Sequence, residues 1–184
     1  MGLLPQATIG RTPQQRLEAM RFTCRCCNAR ERGPRALLKL MPDAIYALHE
    51  GERARRTKLS ADLAVLDGER FFIRSVVKLP IRRVRPDFEF GCWAEVNRAD
   101  FRMYLAEYDN RKPAFGPFAC SLDSDLQPYS SRGLPAFLHM QPDKHRPVMS
   151  LVDGDSRLAR DQAAGIDLRR LAHVYRAWGH DTRI

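Results

Sequence analysis

The chain has 184 residues, of which 44% are hydrophobic and 29% charged; this is enough apolar side chain to order a single core, which excludes a wholly disordered protein. No run of about 18 apolar residues is present, so no helical membrane span is expected, and the opening Met1-Gly2-Leu3-Leu4-Pro5-Gln6 lacks the basic start and apolar stretch of a secretory signal. The net charge is +9, and 12 basic against 5 acidic side chains up to Lys58 place +7 of it in the first third; the ordinary role of such an excess is a solvated arginine-rich face, although it also draws in polyanions.

Residues 1–11 carry no periodicity and read as a flexible lead. Thr12-Pro13-Gln14-Gln15 then provides a helix start, with Thr12 as cap, Pro13 at the first helical position and Gln15 completing a capping box. This short helix is expected to run to about Met20. Phe22-Thr23-Cys24-Arg25-Cys26-Cys27 follows, up to the breaker Gly33-Pro34. From Pro42, the spacing of Ala44, Ile45, Ala47 and Leu48 predicts another short helix before the basic run Arg53-Ala54-Arg55-Arg56.

The clearest local signal lies between Leu63 and Val96. Leu63–Leu66 is apolar, Asp67-Gly68 tolerates the positive φ angles of a type I′ turn, and Arg70–Leu79 is a second strand that Pro80 ends. Phe88–Val96 gives a third, in which Gly91 marks a bulge or a close backbone approach. Asn97 caps a helix bearing Phe101, Tyr104, Leu105 and Tyr108, closed by Asp109-Asn110 and Pro113. Phe118–Leu122, Leu134–Met140 and Val148–Val152 read as further strands. A helix from Ser156 to Ala164 stops at Gly165, and Asp167 caps a last one over Leu168–Trp178, whose Leu168, Leu171, Val174, Tyr175 and Trp178 share one face.

The expected architecture is α+β: a central, mostly antiparallel sheet with a β-hairpin core, flanking short helices, and C-terminal helices packed on the sheet. Residues 1–19 are expected to be an N-terminal extension with a short helix and residues 20–184 a single domain, with Met20 a candidate natural start. Five cysteines, three of them within Cys24–Cys27, do not resemble the even framework of a disulfide-stapled secreted domain. A reducing cytoplasm is expected.

Several motifs together resemble a bacterial family, the domain-of-unknown-function family twenty-one-ninety-nine. They are Phe-Thr-Cys-x-x-Cys from Phe22, Lys58–Leu63 leading into Leu66–Arg74, Phe90-Gly91-Cys92-Trp93, Arg146-Pro147 and Asp161–Ile166. The resemblance spans roughly Phe22 to Trp178, implies a small bacterial domain and supplies no activity. In the family's pattern a glycine follows the cysteine pair and a histidine comes soon after, where this chain has Asn28-Ala29-Arg30-Glu31; a cysteine frequent after the Asp-Leu pair is Ala64 here.

Cys24 and Cys27 have the spacing of half a structural zinc site, in which two thiolates of one tight turn reach one tetrahedral ion. Cys92, Cys120, His139 and His145 complete it only if the fold brings them near. The same pair as a redox couple lacks the strand–CxxC–helix context, and Cys26 is an incidental third thiol. His49, His139, His145, His173 and His180 sit in no motif with a nucleophile, no glycine-rich phosphate loop is present, and Asp123 and Asp125 read as solvated loop carboxylates. No catalytic residue is assigned. Trp93 is expected in the core, and Arg74, mid-strand, needs a partner such as Asp62 or Asp67. The expected function is a non-enzymatic binding or protein-interaction module, a regulatory or immunity-type partner of another bacterial protein, with a vestigial or structural zinc half-site at Cys24 and Cys27. The alternative is a nucleic-acid-binding protein that contacts phosphates through Arg53, Arg55, Arg56, Lys58, Arg82, Arg83 and Arg85.

Overall fold

The computed structural model describes residues 11–109, 115–152 and 154–183. The expected lead up to residue 10 and the helix stop at Asn110 and Pro113 lie outside them. The capping box forms as expected: the Gln15 N–H donates to Thr12 Oγ1 at 3.2 Å and the Thr12 N–H to Gln15 Oε1 at 2.9 Å, opening α1 (Pro13–Ala19). Leu17 and Met20 are both buried in the main core.

A small sheet follows, one that local sequence pattern does not announce. β1 (Arg21–Cys24) pairs antiparallel with β2 (Arg30–Arg32) on one edge and with β11 (His180–Arg183) on the other. β3 (Leu37–Leu38) then leads to α2 (Asp43–Tyr46), α3 (Glu50–Arg56) and β4 (Thr57–Leu59). The stretch from Pro42 is thus two short helices, and the basic run lies inside the second. Arg53 closes the gap between them by donating from Nη2 to the Tyr46 and Leu48 carbonyls, both at 3.0 Å.

β5 (Leu63–Leu66) and β6 (Arg70–Leu79) join through Asp67 and Gly68 at φ +55° and +70°, the two positive angles of a type I′ turn. β6 pairs along its length with β7 (Phe88–Val96), from Phe71↔Val96 to Leu79↔Phe88. α4 (Arg98–Ala106) follows, capped by the Asn97 side chain, and then β8 (Phe118–Leu122), β9 (Pro135–His139) and β10 (Val148–Leu151). Ser156 and Gly165 bound α5 (Arg157–Ala164), and Asp167 caps α6 (Leu168–Ala177).

The mixture of helices and sheet agrees with expectation, but the central sheet is not an open, mostly antiparallel layer. β6, β7, β8, β9 and β10 form an antiparallel meander, and β10 returns to β6 through a parallel pair at Val148↔Val76. An odd number of alternating strands leaves the first and last pointing the same way, so closure into a five-stranded barrel has to be parallel. Ten residues let β6 hold β5 along its first half and β10 at Val76 on the same edge. At the changeover the Arg74 N–H donates to the Asp62 carbonyl and the Val76 N–H to the Pro147 carbonyl, each at 2.9 Å. β7 is shared likewise between β8 at Ala94–Val96 and β3 at Phe90 and Gly91. The expected close approach at Gly91 is this one: a Cβ there would meet Leu38 Cδ2 at 2.5 Å.

Strand alternation divides the interior. Phe71, Ile73, Val77 and Leu79 of β6 join Phe90, Cys92 and Ala94 of β7 in the main core, while Phe72 and Trp93 turn the other way and pack with Ala44, Ile45, Ala64 and Leu66. Trp93 is fully buried, as expected, with its Nε1–H donating to the Lys39 carbonyl.

Two buried carboxylates lock the outer elements. Asp123, expected as a solvated loop residue, is buried because α2 needs it: its Oδ2 accepts the Ala44 N–H at 3.0 Å and its Oδ1 the Arg132 Nε–H at 3.1 Å. Asp161 accepts from the Tyr129 hydroxyl and Arg170 Nε, both at 2.9 Å, and from Arg157 Nε at 3.0 Å, which ties α5 to α6. Asp161→Ala leaves Arg170 and Tyr129 without their acceptor and is expected to lower the unfolding free energy by about 3–5 kcal/mol. Urea denaturation checks it, and a loss below about 1 kcal/mol would show that the network is not structural.

Candidate metal centre

β1 ends in a turn that gathers three thiols. The Asn28 N–H donates to the Cys24 carbonyl at 2.8 Å and the Cys24 N–H to the Ala29 carbonyl at 2.9 Å, which folds residues 24–29 back on themselves. Asn28 sits at φ +57°, a left-handed conformation that asparagine tolerates better than most residues with a Cβ. Asn28 therefore adopts a glycine-like backbone at the end of the turn.

Within this turn the sulfurs of Cys24, Cys26 and Cys27 lie within 4.8 Å of one another, and those of Cys24 and Cys26 are 2.8 Å apart. The Cys24 thiol is lowered to about 7, first by the bond from the Cys26 thiol and then by the backbone N–H groups of Cys26 and Cys27. Cys26, the group that gives up its hydrogen bonds to Cys24 and Cys27 on ionising, is raised to about 11. Sulfurs bound to one tetrahedral zinc ion through bonds of about 2.3 Å stand roughly 3.8 Å apart; the triad lies within 4.8 Å, and its Cys24–Cys26 pair, at 2.8 Å, has to open by about 1 Å to take the ion. Soft thiolate donors so placed suit zinc or another d10 ion.

The Cys-x-x-Cys spacing places Cys24 and Cys27 correctly in one turn, whereas Cys26, expected to be incidental, proves to be part of the group. The Cys-x-Cys-Cys run was the signal for it. None of Cys92, Cys120, His139 or His145 belongs to a three-ligand group among the described residues. Cys92 is buried against Ser75, its thiol pushed up to about 12 by burial, and burial does the same to Cys120. The residue facing Cys24 across the small sheet is His180, for which the sequence offered no signal, since it follows the stop of the last expected helix.

The arginines named for phosphate binding are divided by the fold. Arg56 is clamped by Asp67 through Nε at 2.9 Å and Nη2 at 2.7 Å and touches Glu52 at 3.3 Å, Arg53 bonds two carbonyls, and Arg55 bonds the Gly51 carbonyl. Lys58 is exposed and Arg85 pairs with Asp87 at 3.0 Å. Arg82 and Arg83 instead line an open groove with Arg16, Arg169 and Arg176. Arg74 has neither expected carboxylate as a bonded partner: its Nη1 donates to the Ala61 carbonyl at 3.0 Å, while Asp62 accepts from Arg146 Nε at 2.8 Å. A cleft of about 290 Å³ lies beside that pair, lined also by Tyr104, Tyr108 and His145.

The thiols differ sharply in access. In metal-free protein at neutral pH, iodoacetamide is expected to modify the half-buried Cys24, whose thiol is lowered to about 7, ahead of the exposed Cys26, and Cys92 only after unfolding. Peptide mass mapping over a time course checks this, and early labelling of Cys92 would contradict the packing of β7.

No helix among the described residues is long and apolar enough to cross a membrane. No curated protein and no solved structure matches the chain. Residues 23–166, from the foot of the thiol turn through the barrel to the end of α5 and just beyond it, match the family described as uncharacterised protein conserved in bacteria (DUF2199), and the chain belongs to that family.

Proposed function

We propose that the protein is a non-enzymatic binding module of the bacterial cytoplasm in which a zinc ion, held by the Cys24–Cys27 turn, braces a small sheet beside the barrel. The observation that carries this reading is the gathering of three sulfurs within 4.8 Å on one turn, with N–H groups directed at Cys24. A reducing compartment suits accessible thiols kept for a metal. A binding role, with another bacterial protein as partner, is supported by what the polar interior does: Asp123 and Asp161 are bonded into the scaffold, and the carboxylate at the cleft, Asp62, is held by Arg146. Thiolates on a preformed turn bind zinc with a large share of the free energy that orders such a site. Tag-free protein is expected to carry about one zinc per chain by mass spectrometry, and Cys24→Ser with Cys27→Ser to remove it. Metal-free protein from zinc-replete cells would end this reading.

A second reading, polyanion binding, rests on the five arginines of the groove formed by Arg16, Arg82, Arg83, Arg169 and Arg176, in which Asp167 is the one acidic lining residue among the described residues. Arg82 lies 3.7 Å from Asp167, and the pair is more than half exposed, so it competes weakly with an incoming phosphate. Labelled single-stranded RNA is expected to bind with an affinity that falls steeply with salt and to lose it in Arg83→Glu with Arg169→Glu. No binding at low salt would remove this reading.

A further inference from the structure

We propose that His180 is the fourth ligand of the thiol site, making it a Cys3His zinc centre that links the end of β1 to β11; this rests on the metal reading above. Three thiolates leave one position of a tetrahedral ion open. The register Cys24↔His180 puts the imidazole directly opposite the thiol, and residues opposite each other in an antiparallel pair project to the same face with Cβ atoms about 4.5–5.5 Å apart. The ring is held there between aromatic neighbours: its centroid lies 5.2 Å from that of Phe22 and 6.0 Å from that of Tyr175.

The second observation is independent of the sulfurs. His180 Nδ1 is buried and has no hydrogen-bond partner. Buried ring nitrogens ordinarily have one, and a metal ligand needs this kind of uncommitted lone pair on a neutral imidazole. Arg25, at the tip of the turn, is tied to the same segment three times: its N–H donates to the Gly179 carbonyl at 2.9 Å, its Nη2 to the Arg176 carbonyl at 2.9 Å, and its Nε lies 3.4 Å from Asp181. The turn and the strand that carries the histidine are thus braced to each other. The imidazole stands outside the 4.8 Å group of sulfurs, so capture of the ion draws it in. His180 also lies beyond the span matched by the family, so this fourth position belongs to the chain's own C-terminal strand.

Cobalt(II) substitution of the full-length protein tests it. The wild type is expected to show the intense visible bands of a tetrahedral ion with three thiolate ligands. His180→Ala should shift and weaken those bands as water enters, and lower zinc affinity at least about tenfold, which is about 1.4 kcal/mol. His180→Cys should keep the tetrahedral bands and raise the thiolate-to-cobalt charge-transfer intensity by roughly one third, the step from three sulfurs to four. It thereby reports on the position even if the alanine variant folds poorly. Bands and affinity unchanged in His180→Ala, or no added charge transfer in His180→Cys, would overturn the fourth ligand while leaving the three-thiol reading in place. A wild type that takes up neither cobalt nor zinc would overturn both.

Discussion

Strand β6 carries more of this fold than any other element, because every peptide group along it has to be satisfied in a closed structure. One edge is given to β7 throughout. The other is divided, with β5 on its first half and β10 on its second, and the transfer occurs between Arg74 and Val76. The groups around that seam are Asp62, just ahead of β5, and Arg146-Pro147, just ahead of β10. The Asp62–Arg146 ion pair ties the starts of these two strands together, Arg74 reaches back to the Ala61 carbonyl, and the guanidinium of Arg74 lies 5.9 Å above the Trp93 ring. Motifs scattered through more than eighty residues of sequence, with Asp62 and Arg146 at its ends, therefore meet at one point. The role visible for them there is to join two strands to a third.

The thiol turn depends on a different constraint. A chain that reverses within four residues places successive N–H groups towards one side, and here they point at the Cys24 sulfur. The same reversal needs a left-handed residue at its end, which Asn28 supplies. The aromatic platform beneath, with Phe22 stacked on Tyr175 at 4.9 Å, fixes the small sheet to α6. The Tyr175 hydroxyl extends that anchor by accepting the Arg35 N–H and donating to the Arg35 carbonyl, both at 2.6 Å.

Features written in a few adjacent residues could be read before folding. The Thr12–Gln15 box, the Asn97 and Asp167 caps, the helix stop at Gly165, the Asp67-Gly68 turn and the bounds of β6 and β7 all follow from local preference and period, and the structure has them. Features that depend on distant pairing were hidden. Barrel closure is a register between Val76 and Val148, which no window of sequence contains. β1, β2 and β11 are three or four residues long and rich in charge, so their alternation was too short to register. Asp123 looked solvated because its partners, Ala44 and Arg132, are supplied by tertiary contact. Of the thiol site, the Cys24–Cys27 spacing was legible and the membership of Cys26 was misjudged, because proximity of three sulfurs is a property of the turn's shape.

The pairing of β1 with β11 has a temporal side. The barrel strands, from Arg70 to Leu151, all lie between the two partners in the chain, so closing the barrel does not require β11, and one edge of β1 stays bare until β11 docks. Contacts that join such remote segments carry a high loop-closure cost and form late. A folding intermediate with the barrel closed and β11 undocked would therefore carry its three thiols on an unfinished sheet, open to oxidants and stray metal ions until that last pairing forms.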